Sequence, residues 1–309
     1  MRDMKKKMLF ALGLLLAWSY QSKAQSTAIV EGYDIVEEVP ESMQINQWLE
    51  EYDPMGELNE VSPYERVRVP KQKAWDYPHL READVAYHTR MDRIIDMRQK
   101  MNILLRHPKH SLPKLLYGLA ISGDFPVYSD RDMQNFMDKD AVVDRMVDTI
   151  YVDVIDPNDP YGPSISTPQP EVQDYTKVEK IRVQEDWIFD KVHGRMIPRI
   201  VAIAPMYKPT VANGTIDLPE QPLFWMKYED LRGSFTNFEV FNKNLAARIS
   251  MDHYFQARMF DSYIVKEQDV SDMDIRFYPE FEDNTLGALL KSEEVKNDLF
   301  ILEHDLWEF

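Results

Sequence analysis

The chain has no cysteine, only 10 glycines in 309 residues, and fewer bases than acids, Lys+Arg 36 against Asp+Glu 53. Each scarcity excludes something. Without cysteine there is no disulfide framework, no thiolate metal site and no cysteine nucleophile. None of the glycines falls in a G-x-G-x-x-G or G-x-x-x-x-G-K spacing, so the loops that cradle nucleotide phosphates are missing. A nucleophile elbow G-x-S-x-G and a zinc helix H-E-x-x-H are missing too. A formal net charge of -17 repels phosphate backbones and anionic lipid, which argues against binding nucleic acid or membrane through a basic face. Partners should be proteins, cations or basic patches. With 44% hydrophobic residues the chain can build a sizeable core, and at about 100–200 residues per domain one large or two moderate domains are expected.

Long apolar runs are also scarce. The one near the N-terminus, 8–18, follows Lys5, Lys6 and Lys7, and Ser22-Lys23-Ala24 places small residues where a signal peptidase reads before Gln25. Residues 1–24 therefore read as a signal peptide cleaved between Ala24 and Gln25. The run is too short for the ~20 residues that span hydrocarbon, and no cysteine follows it to carry a lipid. The expectation is a mature chain, more acidic still, that is soluble beyond the inner membrane.

Residues 25–62 carry ten acids and no Lys or Arg. Self-repulsion of that kind favours an extended acidic arm. It is either a solvated leader or an arm that orders on a partner, with Trp48, Leu49 and Tyr52 as anchors, because large aromatics dominate interface energetics. Basic residues enter abruptly at Arg66, Arg68, Lys71 and Lys73 and mark a boundary, so 25–74 reads as arm and linker and 75–309 as the folded domain.

Within that domain the spacing of Tyr87, Met91, Ile94, Ile95, Met101, Leu104 and Leu105 predicts a long amphipathic helix over 84–106, with Arg90, Arg93, Arg98 and Lys100 outside it. Ser111, Pro113 and Gly123 punctuate a second helix over 112–122, and Asp138 opens a third. Alternation at Ile150, Val152 and Val154 predicts a strand. The proline-rich stretch 156–176 after it predicts a loop, since proline blocks both helix and ladder. Strands are expected over 178–183, 186–192, 196–205 and 223–228, with His193-Gly194 as a hairpin turn. Helical spacing returns at Met251, Tyr254, Phe255 and Met259, 263–266 reads as a strand, and 286–300 as a helix. The fold class expected is α+β: a helical N-terminal half, then a small antiparallel sheet with flanking helices in the C-terminal half, preceded by the acidic arm.

Constellations that carry chemistry are weak. His107 and His110 are three apart, but Pro108 disrupts the helix that would aim them together and no carboxylate completes a ligand set. Asp156, Asn158 and Asp159 ahead of Gly162 faintly suggest a calcium loop that lacks its closing glutamate. Asp186 with Asp190, and His304 beside Asp305, are nominal acid–base pairs in a chain whose 53 acids make such adjacency uninformative. The expectation is no catalytic residue, no metal and no cofactor. The aromatic clusters Trp187/Phe189 and Phe224/Trp225 are expected in the core, with an interface as the alternative.

Three motifs carry a resemblance. Glu185-Asp186-Trp187-Ile188-Phe189-Asp190-Lys191, Arg199-Ile200-Val201-Ala202-Ile203-Ala204-Pro205-Met206 and Phe224-Trp225-Met226 closely resemble the GldN/PorN family of the type IX secretion and gliding apparatus. The flanks are similar as well: Arg93-Ile94-Ile95-Asp96-Met97-Arg98-Gln99-Lys100-Met101-Asn102, Glu239-Val240-Phe241-Asn242 and Glu303-His304-Asp305-Leu306-Trp307-Glu308-Phe309. The resemblance runs from about Trp75 to Phe309. It implies a non-enzymatic periplasmic subunit that forms a ring with a GldK/PorK-type lipoprotein under the outer membrane, associates with itself, and links to the periplasmic part of a GldM/PorM-type motor subunit. Membrane contact would then be indirect, through the lipoprotein, and no nucleic acid would bind. A periplasmic hydrolase or a calcium-dependent binding module are the competing classes.

Overall fold

The computed structural model describes residues 73–108, 111–154, 165–172, 175–208, 210–211, 216–217, 219–244, 247–281 and 284–306. The leader, the acidic arm with Trp48, Leu49 and Tyr52, the 156–163 segment and His110 all lie outside the described residues.

The described chain is α+β, but it is organised around a sheet rather than a helical half. Its strands are β1 (Val85–Asp96), β2 (Val127–Tyr128), β3 (Phe136–Met137), β4 (Val147–Val154), β5 (Ile165–Val172), β6 (Lys180–Asp190), β7 (Arg195–Tyr207), β8 (Thr210–Val211), β9 (Ile216–Asp217), β10 (Gln221–Pro222), β11 (Trp225–Lys227) and β12 (Tyr263–Glu267). Helices are α1 (Leu112–Ser122), α2 (Lys139–Met146), α3 (Tyr228–Asn237), α4 (Met251–Gln256) and α5 (Thr285–Leu306). Eight strands form an antiparallel sheet in the order β12-β1-β6-β7-β11-β2-β3, with β10 added on β7. Two separate two-stranded ribbons, β4-β5 and β8-β9, complete the strand inventory.

The expected helix over 84–106 is therefore corrected: it is the strand β1 followed by a short 3-10 turn, Asn102–Arg106. The reason lies in burial. β1 runs between β12 and β6, and Met91, Arg93, Ile94 and Ile95 as well as Asp92 are all buried. A strand covered on both faces loses the period-two signature, and its apolar residues then mimic a helical spacing. The sheet is correspondingly larger than the small one expected, because β1, β2 and β3 join it from the first half of the chain.

The remaining punctuation is local and reads directly. Gly123 ends α1 at φ 78, and Pro113 stands in its first turn. Ser111 holds the N-cap position, although its side chain makes no capping bond. Asp138 caps α2 by accepting from the Lys139 N–H at 2.9 Å. The β6–β7 hairpin turns at 191–194, where Gly194 has φ 57 and Val192 N–H donates to Asp190 Oδ1 at 2.8 Å. The two strands expected over 178–183 and 186–192 are one continuous strand, with a bulge between Gln184 and Glu185. The proline-rich stretch read as a loop contains β5, whose Pro168 and Pro170 lie opposite Tyr151 and Thr149 of β4.

One face of the sheet carries the main core. Ile95, Ile181, Val183 and Ile203 meet Leu115 and Leu116 of α1, Leu231 and Phe235 of α3, and Tyr254 and Phe255 of α4. A second cluster joins Met91 and Ile264 to Val295 and Leu299 of α5. The C-terminal helix also guards an edge: Ile264 N–H, on the outermost strand, donates to the buried Ser292 hydroxyl at 2.9 Å. Covering an edge strand with a helix is one way a sheet avoids pairing with other chains. A third cluster places Trp225 against Ala202 and Ala204.

Of the aromatics expected in the core, Phe189, Phe224 and Trp225 are buried, whereas Trp187 is only partly buried. Trp225→Ala should cost about 3–5 kcal/mol of stability, read as a lowered denaturant midpoint. The exposed Phe136→Ala should change it by no more than about 0.5 kcal/mol.

Candidate functional site: a buried ionic face and exposed apolar surface

The face of the sheet opposite the main core is ionic at its centre. The register sets Asp92 opposite Gln184 and Ile94 opposite Arg182, so Asp92, Gln184 and Arg182 share that face. Arg182 reaches Asp92 Oδ2 through Nη2 at 2.7 Å and Nε at 2.9 Å. The same guanidinium holds Asp274 at 2.7 and 3.0 Å. Arg131, from the turn between β2 and β3, adds a contact to Asp92 at 2.9 Å and one to Asp272 at 3.4 Å. Lys266 closes the circuit on Asp272 at 2.8 Å. Asp92 is 0% exposed and Arg182 6%, and buried charges persist only when paired and hydrogen-bonded. Gln184, also 0% exposed, has no partner for its amide N or O among the described residues.

A second buried acid, Glu185, lies on the other face. Arg258 meets it in a bidentate pair at 2.9 and 3.2 Å, and Trp187 Nε1–H donates to it at 3.0 Å. The Arg258 guanidinium stands 5.5 Å from the Trp187 ring and 5.2 Å from the Phe260 ring. Trp187 is thus a partly buried ring bound to an ion pair, not the apolar core residue expected. Arg93 donates to Ser262 Oγ at 2.8 Å and to the Ser262 carbonyl at 2.9 Å, and burial pushes its guanidinium pKa down.

A third cluster clamps the extended stretch 73–80 that leads into β1. The Tyr77 ring lies 4.4 Å from the Arg232 guanidinium and 5.1 Å from that of Arg199. Gln256 donates to its hydroxyl at 2.8 Å. Arg199 donates to the Pro78 carbonyl at 2.8 Å and Arg232 to that of Trp75. Arg232 is anchored on Asp252, which also accepts from the Tyr228 hydroxyl at 3.0 Å. Burial raises the Tyr228 and Tyr77 phenol pKa values.

These arrangements neutralise carboxylates instead of freeing them for proton transfer. Asp92, Glu185, Asp252 and Asp274 each face a guanidinium. Asp186 is held by Arg90 at 2.6 and 2.9 Å, with His88 at 3.4 Å, and Asp190 is committed to the hairpin turn through Val192 N–H and His193. The structure does not bring Asp186 and Asp190 into one acid–base pair. His107 stacks on Phe241 at 4.1 Å, and His304 and Asp305 lie at the end of α5. Among the described residues no group of three His, Asp or Glu side chains could hold a metal ion.

The helix α5 carries exposed apolar surface. Leu286, Leu289, Leu290, Phe300 and Ile301 are 47–70% exposed, while Ser292, Val295 and Leu299 face inward. At 100° per residue the exposed set lies roughly opposite the buried one, in two patches near the helix ends separated by the exposed Glu293–Lys296 pair. A 22-residue helix with exposed apolar patches near both ends of its outer side is unusual for a free surface. Sequence reading found this helix but not its second face. The ionic pairs were not legible either, since Asp92 and Arg182 are 90 residues apart.

Residues 80–308 match a family model described as gliding motility associated protein GldN. No curated protein matches the chain.

Removing one partner of a buried pair strands the other. Arg182→Ala should therefore destabilise by about 3–5 kcal/mol in chemical denaturation, against under about 1 kcal/mol for the exposed i,i+3 pair Lys296–Glu293. A pH dependence follows from Asp96, whose carboxyl Arg98 hydrogen-bonds at 2.7 and 3.0 Å and holds below its ordinary 3.8. That contribution is complete above the unfolded value and is lost as pH falls through the lowered one. Arg98→Ala should be less stable than the parent at about pH 5, and the difference should shrink as the pH falls below the ordinary carboxylate range, measured by urea melts at successive pH values.

Proposed function

The chain belongs to the GldN family of gliding motility associated proteins, and from that premise we propose that it is a non-enzymatic structural subunit of the type IX secretion and gliding machinery. The family match over 80–308 carries this reading. In it, residues 1–24 direct export and are removed after Ala24, and the mature chain works in the periplasm against the inner face of the outer membrane. It forms a ring with a GldK/PorK-type lipoprotein and meets the periplasmic part of a GldM/PorM-type motor subunit, so that force reaches the secretion pore through protein contacts. The geometry is in keeping with a part that transmits force. Its buried carboxylates are locked by arginines, and exposed apolar patches stand near the ends of a long helix.

The acidic arm has a place in this proposal. Residues 25–62 would be steered by charge to a basic surface of the lipoprotein or of a neighbouring copy, with Trp48, Leu49 and Tyr52 as anchors.

Co-expression of residues 25–309 with the cognate lipoprotein should give a particle of many copies by light scattering and a ring by electron microscopy. A monomer that co-purifies with nothing would refute the assembly reading. Deleting 25–62 should weaken co-purification by at least tenfold, or about 1.4 kcal/mol; unchanged assembly would leave the arm without a role.

A further inference from the structure

The β4–β5 ribbon pairs with no other strand among the described residues, and its two edges are unequal. Opposite residues in an antiparallel pair alternate between those that exchange N–H and C=O bonds and those whose groups point outward. Proline has no N–H, and at an inward position it would delete a ladder bond. Pro168 and Pro170 are two apart and share one parity, so the ladder is intact only if both face outward. The outer edge of β5 is thereby short of two donors, a device that blunts edges against further pairing. Their opposite numbers, Tyr151 and Thr149, must face outward as well. The outer edge of β4 has no proline, so it presents the full set of donors and acceptors that β5 lacks.

Charge narrows what can add there. Between Arg145 and Lys177 the chain has no Lys or Arg, and its acids are Asp148, Asp153, Asp156, Asp159, Glu171 and Asp174. A strand laid on this ribbon should be basic and rich in β-branched residues. The sequence holds such a segment: Arg66-Val67-Arg68-Val69, directly after the acidic arm. We infer that the outer edge of β4 binds segment 66–69 of a second copy of this chain as an added strand. One chain then carries both halves of a head-to-tail contact, and heterologous contacts of this kind generate rings or filaments. Strand addition takes its affinity from main-chain hydrogen bonds and its selectivity from alternate side chains. This deepens the assembly reading and rests on it in taking the partner to be a copy of this chain.

The test uses the mature chain alone, without the lipoprotein, so that failure of the lipoprotein complex and failure of the strand contact are separable. Its mass by sedimentation should rise with concentration, and the rise should weaken with salt. Thr149→Pro with Tyr151→Pro, placed at outward positions, should keep the parent's melting temperature and remain monomeric. A synthetic peptide of residues 62–74 should bind the parent chain and bind that variant at least tenfold more weakly. Should the prolines unfold the ribbon, the peptide bearing Arg66→Glu and Arg68→Glu leaves β4 untouched and should lose binding by a similar factor. A parent chain that stays monomeric at all concentrations, a proline variant that associates like the parent, or a charge-reversed peptide that binds as well as the natural one would each overturn the inference.

Discussion

The sheet depends on one guanidinium. Arg182 sits on β6, inside the sheet, and divides its donors between Asp92 on the neighbouring strand and Asp274 on the segment that follows β12. An arginine this buried is tolerable only with both carboxylates in place. Those carboxylates come from opposite ends of the domain, so the ion pair fixes the β1–β6 register, the return of the chain after β12, and the turn that brings Arg131 to Asp92. A slip of one residue would carry Asp92 to the face packed with Ile95 and Val183, with no partner there.

The two faces of the sheet accordingly do different work. One is chiefly an aromatic and aliphatic core, interrupted by the Glu185–Arg258 pair, whose tolerance follows volume and shape. The opposite face is specified by charge geometry, which disfavours alternative pairings more sharply than apolar contact does. The ionic face sets a single arrangement of strands, while α5 keeps Leu286, Leu290, Phe300 and Ile301 on its exposed side.

Legibility from sequence tracked how local the determinant was. Helix α1, the Asp138 cap, the Gly194 turn, β12 and α5 are written in neighbouring residues and were readable. Strand β1 was not, because Asp92 and Arg93 look like solvent-facing charges until partners 90 and 169 residues away are known. Strand β5 was hidden by Pro168 and Pro170, which exclude a central strand but not an outward-facing position in a ribbon. Helix α3 begins at Tyr228 without a side-chain cap and offered no start signal. Family membership was legible for the opposite reason, since the motifs around Trp187, Arg199 and Trp225 are contiguous. Trp187 itself shows the limit of reading burial from residue type: its ring is half of a contact with Arg258 and Glu185.

The pairing of β1 with β12 has a consequence for timing. The first strand of the sheet finds its outer neighbour at 263–267, late in the chain, and α5 must follow before that edge is covered. Contacts of such long sequence separation form slowly, because loop closure precedes any gain from them. A growing chain therefore cannot complete its sheet until nearly all of it has been synthesised, so the N-terminal strand waits with one edge open while the rest is made.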